Sequence, residues 1–337
     1  MPKLPSLPLK PGRSLPPGLV IRTGKFVWTT LWQIMMANLA PRNPKGEYIR
    51  PSSQFRQSVS LEPESLYPPA MGRYTLYVGM GCPWAHRTLV VRALKGLESA
   101  IPIVIASPSS EQGIWVFEQE QEGCRSLPEL YQLAEPGYQG RSTVPVLCDN
   151  QTKAIVNNES AEIIVILNAA FNEFAQHPDL DLYPKDLQYC IDRWNDKIYH
   201  TVNNGVYRCG FAQTQAAYDI ACQELFTTLD ELDKVLASNR YLCGDRVTLA
   251  DVRLFTTLFR FDIVFKCNRH RIQDYQNLGA YLRDLYQLPG VAQTCDLEAV
   301  KRDYYGNLFP LNPGGIIPNG PDITSLLEPH EREAVQQ

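Results

Sequence analysis

The stretch from Gly72 to Leu97 limits the possible folds more than any other part of this sequence. Residues 74–78 alternate in character between flanking glycines, which predicts a β-strand. Pro83 then begins an apolar segment with helical periodicity, and proline is favoured at the first helical position because its missing N–H needs no partner there. The order strand, Cys82, Pro83, helix therefore places the Cys82 sulfur at a helix N-terminus.

A cysteine at a helix N-terminus is predicted to be reactive. The free N–H groups and the dipole of the helix favour the thiolate, which is the nucleophilic form of cysteine. A buried and inert Cys82 is the alternative. Position 85 is Ala85, so the chain lacks the second cysteine of a Cys-x-x-Cys motif. A mixed disulfide on Cys82 must therefore be resolved by an external small-molecule thiol.

The composition is that of an ordinary globular protein with two domains. The chain has 337 residues and a formal net charge of -4, which argues against the basic face that nucleic-acid binding requires. Nine cysteines and five histidines are dispersed without metal-ligand spacing. We therefore expect no metal site, no disulfide framework and a reducing, cytoplasmic location. No stretch reaches the ~20 apolar residues of a membrane-spanning helix.

The first 60 residues are predicted to form an N-terminal extension. Residues 1–20 contain six prolines and are expected to be extended or disordered. Residues 26–40 have a helical apolar face, which we expect to pack on the body of the protein, with a membrane surface as the alternative. That face consists of Trp28, Leu31, Trp32, Met35 and Leu39. Residues 41–70 are polar and rich in proline, which indicates an arm on the surface.

Periodicity predicts a thioredoxin-like α/β unit followed by an all-helical domain. Further strands are expected at 101–106, 144–147 and 154–156, with an irregular stretch at 107–140 and a helix from 158 to about 171. After a linker at 177–184, helices are expected at roughly 186–204, 214–238, 248–265, 274–288 and 296–304, the third of which begins with the capping box 248–251. The predicted domains are 1–60 (extension), 61–175 (thioredoxin-like), 176–310 (all-helical) and 311–337 (tail). The cleft between two such domains is a usual place for a substrate pocket.

Two more segments suggest a binding site for glutathione. Val144 precedes a proline at the head of a strand, where a cis bond would let the Val144 backbone pair with an extended peptide. Glu159 and Ser160 lie at a second helix N-terminus, which can bind a carboxylate, although helix capping alone also accounts for them. Together with Cys82, these segments could hold the carboxylate, the backbone and the sulfur of glutathione.

Several ordered motifs over about residues 45–321 resemble those of the glutathionyl-hydroquinone reductases, the Xi class of the glutathione transferase superfamily. The motifs are Cys82-Pro83-Trp84-Ala85-His86-Arg87, residues 141–147, residues 158–164, Gly205-Val206-Tyr207, Lys266-Cys267-Asn268, residues 274–278, residues 281–286 and residues 312–316. The chain departs from the family between Asp262 and Lys266, where a longer segment usually supplies another tyrosine to the site. It also lacks the usual Ser-His after Tyr305 and has Cys148 where a tryptophan is common.

The resemblance implies a role for eight residues. Cys82 is the implied nucleophile, Tyr207 handles a proton and Tyr304 supports the thiolate. The residues implied to bind glutathione are Trp115, Arg141, Val144, Glu159 and Ser160. An arginine can pair with a carboxylate of glutathione, and a tryptophan offers a flat surface for stacking. The family further implies glutathione as co-substrate with no bound cofactor, a quinol thioether as the second substrate, and a homodimer.

Three functions are compatible with these residues. In the first, Cys82 removes glutathione from a glutathionyl-hydroquinone, and free glutathione then releases the enzyme as glutathione disulfide. The second is a general thiol transferase for glutathione mixed disulfides, as in Omega-like relatives. The third is a binding module without chemistry, in which Cys82 has an ordinary pKa of ~8.5. His86 is not predicted to be a base, because a histidine and arginine at this place suit packing and hydrogen bonds between domains.

Overall fold

The computed structural model describes residues 16–109, 111–265, 269–307 and 312–336. The expectations for residues 1–15 and for the motif Lys266-Cys267-Asn268 lie outside these described residues. The strands are β1 Tyr74–Val78, β2 Ile103–Pro108, β3 Trp115–Gln121, β4 Cys124–Ser126, β5 Val146–Asp149 and β6 Ala154–Asn157. The helices are α1 Pro17–Leu39, α2 Pro83–Lys95, α3 Leu127–Ala134, α4 Ser160–Ala169, α5 Gln188–Ile198, α6 Gly205–Gly210, α7 Gln215–Leu236, α8 Leu249–Arg260, α9 Gln276–Gln287 and α10 Leu297–Lys301.

The six strands form one mixed sheet in the order β4-β3-β2-β1-β5-β6. The predicted strand β1 lies inside the sheet, parallel to β2 and antiparallel to β5, and all five of its residues are buried. Helix α2 packs against α4 of the same unit and against α8 of the helical region. Because α2 contacts both regions, its N-terminus with Cys82 lies where the two meet.

The start and the end of α2 have separate local causes. Pro83 occupies the first helical position and Cys82 is the N-cap, as predicted. The helix ends at Lys95, two residues before the predicted end, because Gly96 adopts φ 64° and begins a turn. Left-handed backbone of this kind favours glycine, which has no Cβ. The N–H of Gly96 donates to the carbonyl of Ala93 at 3.0 Å.

The prediction of an irregular stretch at 107–140 is wrong, because it contains β3, β4 and α3. The two strands form a hairpin at the sheet edge, and its turn places Glu122 and Gly123 at φ 52° and 79°. Helix α3 is capped by Ser126, whose Oγ accepts from the Glu129 N–H at 3.4 Å, while the Glu129 carboxylate accepts from the Arg125 N–H at 2.7 Å. The sequence signals were a Glu-Gly turn and a Ser-x-x-Glu capping pattern.

The helical region follows the predicted periodicity. The capping box is confirmed at α8, where the Asp251 carboxylate accepts from the Thr248 N–H at 2.8 Å. Three helices are extended or joined by π-helical turns at Tyr199–Asn203, Phe261–Phe265 and Arg302–Gly306. Such wider turns often lie at functional sites. The last one contributes Asp303 and Tyr304 to the cavity described below, and Phe265 of the second packs against Tyr304.

The N-terminal extension differs from its prediction. Residues 17–20 are not extended but begin the long helix α1, with Pro17 at its first position. The expected packing of residues 26–40 is confirmed only toward the C-terminal end, where Met36 and Ala40 are buried with Tyr48. Residues 41–70 form the predicted arm, which reaches β6 through a bridge between Arg56 and Asn157. Within the described ranges, no helix is both long and apolar enough to cross a membrane.

Candidate active site

Two adjoining cavities meet at the N-terminus of α2. The larger, of about 670 Å³, contains Cys82, and the smaller, of about 220 Å³, extends along the edge of β5 and the start of α4. Both are lined by Arg50, Trp84 and Arg141, so they form one continuous site. All eight predicted site residues line it: Cys82, Trp115, Arg141, Val144, Glu159, Ser160, Tyr207 and Tyr304.

The Cys82 side chain is half-buried and faces the larger cavity. Its thiol donates to the Val144 carbonyl at a sulfur–oxygen distance of 3.8 Å. Its own N–H donates to the Gly79 carbonyl at 3.0 Å, and its carbonyl accepts from the His86 N–H at 3.0 Å. These two backbone hydrogen bonds fix the turn that carries the sulfur into the cavity.

The pKa of the Cys82 thiol is higher than the sequence analysis leads us to expect. Burial raises its pKa, whereas the N–H groups of Trp84 and Ala85 and the charges of Arg260 and Arg50 lower it. The predicted N–H donors are therefore present, but the prediction that they lower the pKa overall is wrong, because desolvation has the larger effect. Ionisation of Cys82 depends on how many further donors reach the sulfur.

Arg260, which the sequence analysis missed, fixes the backbone just before Cys82. Its guanidinium donates to the carbonyls of Met80 and Gly81, each at 2.9 Å, and contacts His86 Nδ1 at 2.8 Å. The side chain is only 1% exposed. A buried guanidinium that binds two successive carbonyls both holds the turn and places a positive charge near the sulfur. It comes from the end of α8, far away in the chain, so no local pattern identifies it.

Two tyrosines from different segments meet in the larger cavity. The Tyr207 and Tyr304 hydroxyls are hydrogen-bonded at 2.7 Å. Burial raises the pKa of Tyr207 well above its ordinary value, to which Tyr304 and Cys82 add, and burial likewise raises that of Tyr304. Both phenols therefore keep their protons at neutral pH. The pair can donate a hydrogen bond to a sulfur anion or donate a proton to a leaving group.

Aromatic rings surround this tyrosine pair. Tyr207 stacks on Trp84 and on Phe211, with centroid distances of 6.2 and 5.7 Å. Phe265 contacts Tyr207 and Tyr304 edge-on at 5.6 and 5.7 Å. Phe265 ends the shortened segment noted in the sequence, so a phenyl ring packs against the pair there. A flat wall of this kind suits an aromatic substrate.

Trp115 stands at the start of β3 and packs against the turn before Cys82. A Cβ added to Gly79 would lie 2.5 Å from the Trp115 ring and 3.2 Å from Val144 Cγ2. A larger residue there would force the Trp115 ring to shift, so the close approach of the indole favours glycine. The ring forms a wall of the larger cavity, at the place where the resemblance puts a contact with glutathione.

The smaller cavity brings together the other predicted glutathione residues. The Val144–Pro145 peptide bond is cis, as anticipated. Glu159 caps α4, and its carboxylate accepts from the Ala161 N–H at 3.1 Å and from Ser53 Oγ at 3.0 Å. Ser160, 3% exposed, is the first residue of α4. Capping and ligand binding are thus compatible at this helix start.

The N-terminal arm also contributes to the site, which the sequence analysis did not foresee. Arg50 lies over the Trp84 ring, with 3.9 Å between the guanidinium carbon and the ring centroid, and it lines both cavities. Ser53 binds Glu159 directly. No pattern in a polar, proline-rich arm marks these two residues, because their positions depend on how the arm crosses the site.

Asp303 is a third side chain that the sequence analysis missed. Its Oδ2 accepts from the Gly81 N–H at 3.1 Å, and a Cβ on Gly81 would collide with it. Burial raises the pKa of Asp303 to about 6, against the opposing influence of Arg302, the Gly81 N–H and Arg260. The Asp303 carboxyl therefore gains or loses its proton around pH 6, and it does so next to the backbone that leads to Cys82.

His86 does not face the cavity, in agreement with the decision not to predict it as a base. Its ring nitrogens contact Thr294 Oγ1 and Arg260 Nη1, each at 2.8 Å. Burial and the charge of Arg260 lower its pKa well below the usual value, so the ring is neutral. Arg87 donates to Asn203 Oδ1 at 2.7 Å. Both side chains join α2 to the helical region.

Comparison with known proteins shows what the whole chain is similar to. Residues 81–170 match the family model of the glutathione S-transferase N-terminal domain, and residues 215–284 match that of the C-terminal domain. The glutathionyl-hydroquinone reductase YqjG of Escherichia coli is 42% identical, covering 91% of this chain and 97% of its own. Its glutathione-bound structure has a TM-score of 0.78 at 44% identity, over 83% and 96% of the two chains. The glutathione S-transferase Xi of Phanerochaete chrysosporium has a TM-score of 0.81 at 42% identity, over 85% and 96%.

Proposed function

Since this chain belongs to the glutathionyl-hydroquinone reductases, the Xi class of glutathione transferases, we propose that it removes glutathione from glutathionyl-hydroquinones, with Cys82 as nucleophile. The feature that carries the proposal is a single cysteine facing a cavity that also holds a pair of phenols. A lone sulfur suits transfer of one glutathionyl group, because no second cysteine stands among the described residues that line this cavity.

Glutathione is proposed to occupy the smaller cavity and to reach toward Cys82. Its ammonium group would pair with the Glu159 carboxylate, and a carboxylate would accept from Ser160 and the start of α4. Its peptide would pair with the Val144 backbone, while Arg141 and Trp115 contact the remaining parts. The support is that all five residues line one continuous site around the cysteine.

In the first step, the Cys82 thiolate attacks the sulfur of the substrate in its keto tautomer. A sulfur–sulfur bond forms, the carbon–sulfur bond breaks, and its electron pair leaves with the ring as a phenolate. Tyr207 donates a proton to that phenolate oxygen, which completes the hydroquinone. The hydrogen bond from Tyr304 supports the anion that remains on Tyr207.

In the second step, free glutathione attacks the glutathionyl sulfur of the mixed disulfide. Glutathione disulfide leaves, the Cys82 thiolate is restored, and the proton of the incoming thiol returns to Tyr207. The balance is one glutathionyl-hydroquinone and one glutathione converted into hydroquinone and glutathione disulfide. Because burial opposes ionisation of Cys82, kcat/KM is expected to rise with pH as the thiol titrates.

Steady-state kinetics with a cysteine variant test this proposal. Cys82→Ser is expected to lower kcat by about a thousandfold or more, since the covalent route is lost. Cys222→Ser, which alters a half-buried cysteine of α7 outside the site, is the matched control and is expected to retain activity. Parallel double-reciprocal plots are expected for the native enzyme. A Cys82→Ser enzyme with its rate intact would refute the mechanism.

The choice of substrate distinguishes this function from a general thiol transferase. The native enzyme is expected to act faster on a glutathionyl-hydroquinone thioether than on a mixed disulfide of glutathione and mercaptoethanol. The aromatic rings beside the tyrosine pair support this preference. The opposite order of rates would assign the general transferase function, and no turnover of either would assign a binding module.

The proposal also covers the oligomeric state of the protein and its location in the cell. A homodimer is proposed from the superfamily, and light scattering of the full chain tests it. A cytoplasmic location is proposed from the cysteines, all of which are free among the residues that the structure describes. Free thiols, several of them buried, are what a reducing compartment maintains.

A further inference from the structure

Most of helix α1 extends away from the body of the protein. Residues 17–31 are exposed, whereas the C-terminal turns are anchored by Met36 and Ala40, which are buried with Tyr48. Trp32 and Leu39 pack against the same cluster. A helix of 23 residues is therefore held at one end, and its longer part carries apolar side chains in contact with solvent.

The exposed part of α1 is amphipathic. At 100° per residue, five large apolar side chains fall within one third of the circumference, and the basic and most polar side chains fall on the other side. The apolar face consists of Val20, Ile21, Val27, Trp28 and Leu31, which are 51%, 57%, 49%, 41% and 49% exposed. The opposite face contains Arg22, Lys25, Thr29 and Gln33. Leu19 and Phe26 are the apolar exceptions on that side.

The N-terminal segment also has an unusual charge. Residues 1–46 contain seven lysines and arginines and no acidic residue, while the remainder contains 25 basic and 36 acidic residues. A segment of formal charge +7 thus belongs to a chain whose net charge is -4. Basic residues combined with an exposed apolar helix face are typical of helices that lie in the interface of an anionic bilayer.

We propose that α1 binds the surface of a bilayer containing anionic lipids. The helix lies in the interface, with Val20, Val27 and Leu31 toward the acyl chains and with Arg22 and Lys25 among the headgroups. A bilayer supplies apolar and negatively charged surroundings within a few ångströms of each other. Pairing α1 with the same helix of a second copy would bring two segments of charge +7 together, which disfavours that occupant.

The position of α1 links this surface to the active site. Leu39, at its C-terminal end, lines the cavity of Cys82. It lies about 12 Å along the helix axis from Leu31, at 1.5 Å per residue. A membrane-bound enzyme would thus open its cavity close to the lipid, where apolar quinol thioethers partition. This consequence rests on the proposed function, whereas binding to lipid does not.

Cosedimentation of the full chain with vesicles tests the proposal. Binding is expected to phosphatidylcholine vesicles containing phosphatidylglycerol, to be weaker with phosphatidylcholine alone, and to fall with added salt. The double variant Val27→Ser with Leu31→Ser is expected to bind about tenfold more weakly, because it removes apolar area without changing charge. The control Thr29→Ser with Gln33→Ser alters the opposite face of the same helix and is expected to bind normally.

Three results would overturn the proposal. They are absence of binding to the anionic vesicles, equal weakening in both double variants, and a change of oligomeric state in the Val27→Ser, Leu31→Ser variant without vesicle binding by the native chain. The last result would assign the face to a second copy. Reductase activity measured without vesicles is expected to be unchanged in both double variants. A failure of the proposed function would therefore be recognised separately from a failure of lipid binding. Circular dichroism verifies that both variants are folded.

Discussion

The two halves of the site are built in different ways. The proposed glutathione half comes mostly from residues 82–160, within one α/β unit, and most of its members stand at or next to the start of helices or strands. The acceptor half combines Tyr207, Phe211, Phe265 and Tyr304 from separate segments of the helical region. Two of these segments are π-helical turns.

This difference determines which sequence changes each half of the site can accommodate. Cys82 is held by backbone hydrogen bonds at the start of α2, the Val144 carbonyl accepts from the Cys82 thiol, and Glu159 caps α4. The acceptor half depends on how distant segments pack, so a shortened segment can replace one ring by another without disturbing the glutathione half. We therefore expect substitutions to separate into those that affect the chemical step and those that affect glutathione.

The largest difference between the effect on kcat and the effect on the KM for glutathione is expected for Tyr207→Phe. Loss of the hydroxyl removes the proposed proton donor and its 2.7 Å hydrogen bond to Tyr304. We expect kcat to fall about 100-fold, at the low end for general acid catalysis, with the KM for glutathione nearly unchanged. Steady-state kinetics measure both, and Tyr189→Phe, at an 82% exposed position, is the control. A raised KM at normal kcat would place Tyr207 on the glutathione side.

The opposite pattern is expected for Glu159→Gln. This substitution removes the charge proposed to pair with the glutathione ammonium but keeps an acceptor for the Ala161 N–H. The KM for glutathione is expected to rise about tenfold, the size of one charge-assisted hydrogen bond, with kcat little changed. Glu162→Gln on the same helix, whose carboxylate binds Arg56 and Asn157 instead, is the matched control. Equal effects of the two substitutions would contradict the assignment.

A smaller and pH-dependent effect is expected at Asp303. Its pKa in the folded chain is about 6, above the ordinary 3.8, so the folded state binds this proton more tightly than the unfolded state. The resulting stabilisation is complete below about pH 4 and is lost as the pH rises through 6. Asp303→Asn removes this pH-dependent loss of stability. The urea midpoint of the variant minus that of the native chain is therefore expected to be larger at pH 8 than at pH 5. Asp219→Asn, at an exposed position of α7, is expected to show no such change.

The overall fold was predictable from the sequence because its signals are local, and the residues proposed to bind glutathione also carry local signals. Pro83 after Cys82 identifies the start of α2, and a proline and a helix start identify Val144 and Glu159. The hairpin and α3 within 107–140 also had local signals, which were missed. Arg260, Asp303 and Arg50 had none, since each acts on residues far away in the chain. The raised pKa of Cys82 likewise depends on burial by distant segments, which helix position alone does not reveal.

Intact-protein mass spectrometry after a single turnover tests the central claim most directly. The native enzyme is mixed with a glutathionyl-hydroquinone in the absence of free glutathione. We predict release of one hydroquinone per active site and a mass increase of one glutathionyl group, located on Cys82 by peptide mapping and removed by added glutathione. Release of hydroquinone without this adduct, or an adduct on another cysteine, would contradict the account.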